Sequence, residues 1–245
     1  MLSLGRMIPA IGGCLLLSGI TLAAPSSVEA KGGVSLSQTR VVFLSTDKVQ
    51  TLTVKNTGKQ RYLIQSRVQQ APDDTSPAPF IITPPLFALQ PDSRQLLRIM
   101  PQGAALPADR ESLFYLSVLA IPARGEKEEP VVPVSMGMRF VLKLIYRPVG
   151  LKAGLEVTGC SLRLHQDAKG IRIENPTPYF QTLGRLTLNR TPVNLDIQPS
   201  MLAPRSAQSY STQGKVLQAE WQTVTDYGDL STPCQQTVSS TQEVP

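Results

Sequence analysis

The 245-residue chain is 41% hydrophobic and 17% charged, proportions that exclude an intrinsically disordered protein and allow a packed core. Its length suits two ordinary domains, with one large β domain as the other reading. The net charge of +6 comes from scattered bases, with no polybasic run and no aromatic RNA-reading motif, so a solvated basic surface is the better account and no nucleic-acid partner is expected.

Residues 1–30 read as a signal peptide. Arg6 precedes the apolar run "MIPAIGGCLLLSGITLAA", and "PSSVEA" ends in small residues at Val28 and Ala30, so cleavage is expected after Ala30. A lipoprotein acylated at Cys14 is the weaker alternative, because the apolar run continues past that cysteine. Cleavage removes one base, Arg6, and one acid, Glu29, so the charge of +6 is unchanged. It leaves Cys160 and Cys234, and two cysteines in an exported protein suggest one disulfide. His165 is the only histidine, which rules out a four-ligand Cys/His zinc site.

Period-two segments then recur: "VSLSQTRVVFL", "VQTLTVKN", "YLIQSRVQQ", "RQLLRIM", "SLFYLSVLAI" and "VSMGMRFVLKLIY", each bounded by Pro, Gly, Asn or Asp. They read as antiparallel strands, in the number and spacing of an immunoglobulin-like sandwich. After "YRPVGLKAG" the pattern restarts with "LEVTGCSLRLHQ", "GIRIENPTPYF", "QTLGRLTLN" and "VLQAEWQTVTD". The boundary falls near residues 148–154, giving an N-terminal domain over 31–150 and a C-terminal domain over 151–245.

Within "PVSMGMRFVLKLIYRPVG" the strand pattern changes. Val134, Met136 and Met138 alternate with Ser135, Gly137 and Arg139, whereas Phe140–Tyr146 is apolar on both parities except at Lys143. A lysine buried unpaired costs several kcal/mol, so Lys143 must find a carboxylate, titrate or face a cleft. Arg40 is a second cation inside strand pattern. Snorkelling or pairing with local acids is the simpler account of both. Catalysis finds little here: His165 reads as a turn residue in "LHQDAKG", and no phosphate loop, H-E-x-x-H or G-x-S-x-G is present. No cofactor, metal, catalytic residue or small-molecule substrate is expected.

"LSQTRVVF", "FIITPPLFAL", "LPADRESLFYLSVLAIP", "KLIYRP", "ENPTPYF" and "TDYGD" resemble, in order and spacing, the periplasmic chaperones of pilus (fimbrial) assembly, from about Val34 to Asp229. The resemblance implies an all-β protein: two immunoglobulin-like β-sandwich domains arranged in an L with an interdomain cleft. It implies a periplasmic, ATP-independent chaperone that binds, folds and caps pilus subunits by donor-strand complementation and delivers them to an outer-membrane usher. On that pattern Val132, Val134, Met136 and Met138 form the donor strand, and Arg40 with Lys143 binds the subunit's C-terminal carboxylate. Glu111, Arg147 and Asp226 form a charged cluster between the domains. The loop "ARGEKEE" is short and no cysteine pair brackets it, as in the short-loop subclass.

Three positions depart from the family's habit: Arg67 for an aromatic, Ala88 for a base and Ser117 for an Asn. Pairing of Cys160 with Cys234 would bridge early and late strands of the second domain. Lys143 has the opposite parity to the donor residues, and a bulge near Gly137 would reconcile the two. An unoccupied apolar edge is an aggregation hazard, so self-association of the client-free protein is also expected. A pilus subunit or adhesin, the competing structural reading, would be one incomplete domain, whereas this chain has two strand sets. An exported hydrolase is disfavoured by the missing histidine partners.

Overall fold

The computed structural model describes residues 32–103, 105–123, 136–151, 159–167 and 170–238. The chain divides into Met1–Lys31 and a larger unit, Gly32–Pro245. Among the described residues, the larger unit is built from strands, with a 3-10 turn at Gly159–Ser161. Its strands form two immunoglobulin-like sandwiches around separate cores.

The first sandwich contains β1 (Val34–Leu36), β2 (Arg40–Leu44), β3 (Gln50–Asn56), β4 (Tyr62–Gln69) and β5 (Phe80–Thr83). It continues with β6 (Leu86–Leu89), β7 (Ser93–Pro101), β8 (Ser112–Pro122) and β9 (Met138–Arg147). One sheet has the order β1-β3-β7-β5, the other β2-β9-β8-β4-β6. The alternation in sequence sets the faces: Leu52 and Val54 of β3 are fully buried while Thr51 and Lys55 face solvent. Phe43, Phe80 and Phe114 meet at the centre, with ring centroids 5.2 and 5.4 Å apart.

"VSLSQTRVVFL" does not form one strand. β1 pairs with β3 in one sheet, and after Ser37–Thr39 the chain crosses to the other sheet, where β2 lies parallel to β9. The other neighbour of β9, β8, is antiparallel, so this parallel pair exists because the chain changes sheets.

The second sandwich comprises β10 (Arg163–Asp167), β11 (Gly170–Asn175), β12 (Gln181–Leu188), β13 (Thr191–Pro192) and β14 (Met201–Leu202). It closes with β15 (Ser206–Ser211), β16 (Gln218–Thr223) and β17 (Cys234–Thr237). Its sheets have the orders β10-β11-β15 and β13-β12-β16-β17, with β14 also on β12. Trp221 is buried and donates its indole N–H to the Gly159 carbonyl oxygen at 2.9 Å. A disulfide joins Cys160 to Cys234, tying the 3-10 turn to β17.

Two local expectations need correction. His165 is not in a turn: it sits in β10, opposite Arg172, because β10 stays paired with β11 through Asp167↔Gly170. Nor does a bulge separate Met138 from Lys143, since the pairing of β8 with β9 is continuous from Ala120↔Met138 to Ser112↔Tyr146. The register shift lies at Leu183/Arg185 of β12, around Gly184, where a Cβ would come within 2.3 Å of the Leu230 side chain.

Candidate functional site

Arg40 opens β2 directly opposite Lys143 of β9, so the two side chains leave the same face of the sheet side by side. Both are half-buried, and both turn towards the second sandwich. Lys143 Nζ donates to Thr182 Oγ1 at 3.1 Å, and Arg40 Nη1 donates to the Val224 carbonyl oxygen at 3.4 Å. Among the described residues, no carboxylate lies within ion-pairing distance of either cation. Arg40 Nε is buried without a hydrogen-bond partner among those residues.

The electrostatics follow from that geometry. Burial lowers the Arg40 guanidinium from its ordinary value, with only the more distant charge of Asp226 acting the other way. Burial, and then the repulsion of Arg40, pushes Lys143 down to about 8. Two like charges are thus held side by side in partial burial, with the Arg40 Nε donor unfilled among the described residues.

Parity resolves without a bulge. Met138, Phe140, Leu142 and Leu144 share one face of β9; Leu142 and Leu144 lie in the core at 6% and 0% exposure, while Met138 is 52% exposed. Met136, just before the strand, is 83% exposed. The apolar face that builds this sandwich's core therefore runs out past its rim. Lys143 occupies the opposite face, as alternation requires. Val132 and Val134 lie outside the described residues.

β2 covers only Lys143–Arg147 of β9. From Met138 to Leu142, β9 is paired on its β8 side alone among the described strands. Among the described strands, an unpaired edge thus begins where the cation pair stands. Two shallow surface depressions, of about 450 and 530 Å³, lie elsewhere, over β3 and β7 around Lys55 and Arg94.

Glu111, Arg147 and Asp226 come together where the sandwiches meet. Arg147 Nε donates to Glu111 Oε1 at 2.6 Å, and its Nη1 and Nη2 donate to Asp226 Oδ2 and Oδ1 at 2.7 and 2.8 Å. The guanidinium also lies 5.3 Å from the centroid of the Tyr179 ring. Burial alone would lower Arg147, but the bonds and charges of Asp226 and Glu111 outweigh it and hold it above the usual arginine range. Burial raises the Glu111 carboxyl, whose side chain is fully enclosed, against the pull of Arg147 and the Phe180 amide. Its short bonds to Arg147 and Phe180 N (2.7 Å) are those of an ionised carboxylate.

Several contributors escaped the reading of the chain. Asn175 of "ENPTPYF" is fully buried; it donates to the Tyr179 and Ala203 carbonyl oxygens at 2.7 and 2.9 Å and accepts from Thr177 N at 3.1 Å. That knot points the Pro178 carbonyl and the Phe180 amide at Glu111. Gly228 of "TDYGD", with φ of +96°, has its Cα so near Thr39 that a Cβ would lie 2.5 Å from Thr39 Oγ1. The turn that carries Val224 and Asp226 is thereby seated against the start of β2. Thr182 carried no signal beyond its place after that motif. Among the described residues, no group of three or more His, Cys, Asp or Glu gathers as metal ligands would.

Comparison with known proteins places matches over both sandwiches. Residues 33–152 match the family described as pili and flagellar-assembly chaperone, PapD N-terminal domain. Residues 160–235 match pili assembly chaperone PapD, C-terminal domain. The chain is 39% identical over 216 residues to the probable fimbrial chaperone protein ElfD of Escherichia coli O157:H7, covering 86% of this chain and 90% of that one. Among solved structures, it resembles the Salmonella enterica SafA pilin in complex with the SafB chaperone at TM-score 0.75 and 31% identity, covering 84% of this chain and 96% of that one. It resembles the E. coli chaperone DraB at TM-score 0.74 and 31% identity, covering 84% and 99%.

Proposed function

The chain belongs to the PapD family of pili assembly chaperones, and from that premise we propose that it caps pilus subunits by lending them the open half of β9. It is a periplasmic chaperone of fimbrial assembly, and pilus subunits are its partners. The observation that carries the mechanism is the coincidence, among the described residues, of a strand edge without a partner and a cation pair without a carboxylate.

A subunit strand laid parallel to β9 along Met138–Leu142 would end where β2 begins. Its terminal carboxylate would then meet Arg40 and Lys143, and those charge-assisted bonds would set its register. Main-chain hydrogen bonds would complete the subunit's sheet, while Met136 and Met138, extended by Val134 and Val132, fill its exposed groove. Methionine is unbranched and adapts to differing pockets. The Arg147 cluster, in this reading, fixes how Thr182 and Val224 are presented to the cations. Residues 1–30 act as the export signal, domains 31–150 and 151–245 act together, and the capped subunit passes to an outer-membrane usher. The same apolar edge offers a site for self-association when no client is bound.

The test is binding of a peptide of alternating apolar residues, with its C-terminus either free or amidated. Arg40→Ala and Lys143→Ala should each weaken the free-acid peptide by about ten- to a hundredfold, the effect of losing a charged hydrogen bond of about 1.5–3 kcal/mol. The amidated peptide should bind weakly to every form. Equal binding of both peptides, unaffected by either change, would make the cations structural.

A further inference from the structure

A strand paired on one side frays unless something else holds it, yet Met138–Leu142 keeps unbroken register with Ala120–Leu116. On the face opposite the core, Arg139 supplies a second attachment. Its Nε donates to Ser117 Oγ at 3.0 Å, and its Nη2 donates to the Pro72 carbonyl oxygen. Asp73, 3.7 Å away and 98% exposed, adds little.

The loop at the other end of that contact is itself fixed. Gln69, fully buried, donates to the Ala71 and Pro72 carbonyl oxygens at 2.7 and 2.6 Å, and its Oε1 accepts from Arg67 Nε at 2.9 Å. A buried amide must be satisfied, so Gln69 determines where the Pro72 carbonyl sits. Arg67 and Ser117 face each other in register across β4 and β8. These are two of the three positions where the sequence departs from the family's habit, and the structure joins both to Arg139 in a single network.

We propose that Arg139 is a positioning residue: with Ser117, Gln69 and Arg67 it latches the open half of β9 to the loop after β4, keeping that strand extended before any partner arrives. A planar guanidinium suits this task because it bonds a hydroxyl and a carbonyl in two directions at once, which an ammonium on the same stem does not. Preordering the strand removes part of the entropy cost of binding. The purpose of the latch rests on the donor-strand reading; its geometry does not.

Hydrogen exchange on the client-free protein tests it. Arg139→Ala should speed exchange of the Met138–Leu142 amides about tenfold, as for loss of a charged hydrogen bond. The remaining amides of the first sandwich and the melting temperature should stay near those of the parent. Ser117→Ala should give a smaller increase at the same amides, and Arg139→Lys an intermediate one. Unchanged exchange at those amides overturns the latch, as does acceleration spread evenly over β3–β8, which would make Arg139 an ordinary structural residue. Either result leaves the donor-strand reading standing, since that is tested separately by substitution at Met136.

Discussion

At Lys143 the sequence spends stability on a charge that no described carboxylate neutralises. The folded protein holds this ammonium at about 8, below its ordinary 10.5, chiefly by burial. Between those two values the unfolded chain keeps the proton that the native state sheds, so stability rises with pH across that window, and the cost is fully present below it. Lys143→Met should therefore stabilise the protein at pH 7 by about 1–3 kcal/mol and abolish the rise, while ending carboxylate capture. Parallel melts of both proteins from pH 7 to 10.5 check the first part, and peptide binding checks the second. Capture by the parent should itself weaken above about pH 8 as the ammonium is lost. A Met variant that is no more stable would mean that the charge is solvated and costs nothing.

At the scale of elements, one face of β9 has two jobs under the donor-strand proposal. Leu142 and Leu144 belong to its own core, while Met138 and Met136 lie beyond the rim at 52% and 83% exposure. Met136→Glu should leave melting within about 0.5 kcal/mol of the parent, as for a surface substitution, yet abolish subunit capture in co-purification. Early melting of this variant would place Met136 in the core and remove it from the donor set. The disulfide acts at the same scale in the other sandwich, closing a separation of 74 residues between the 3-10 turn and β17. Its removal by Cys160→Ala with Cys234→Ala should cost the second sandwich roughly 4 kcal/mol in the chain-entropy model, read as an earlier unfolding transition. The first sandwich, with a separate core, should melt unchanged.

For the molecule as a whole, the Glu111–Arg147–Asp226 cluster joins the two sandwiches. Arg205 supplements it with a bond of 2.6 Å to Asp109, exposed enough to contribute little. Arg147→Ala would strand the enclosed Glu111 carboxylate, at a cost of about 3–5 kcal/mol. Because burial already raises that carboxyl, the variant's stability should fall as pH rises through the window above the ordinary glutamate value, so acid should partly rescue it. Denaturant melts at pH 5 and pH 7 measure this. Equal losses at both pH values would show that Glu111 finds another partner.

Most of the strands, the presence of two sandwiches, the cysteine pair and the suspect cations were legible in the chain, because alternation, turn residues and charge inside apolar runs are local signals. The family's motif order added roles for particular residues that no periodicity could supply. What the chain alone left open was relational. That Arg40 and Lys143 are register partners depends on the crossing from β1 to β2 between sheets, which a continuous alternating pattern conceals. The parity conflict between Met138 and Lys143 dissolved only when one face of β9 proved to be the core and the other the approach to the second sandwich. Thr182, Asn175 and Gly228 acquire their roles from residues far away in sequence, so no local pattern could mark them. Sequence determined which segments bury an apolar face; tertiary structure alone decided which charges that burial brought together, because pairing across sheets and between sandwiches is set by the summed geometry of every strand.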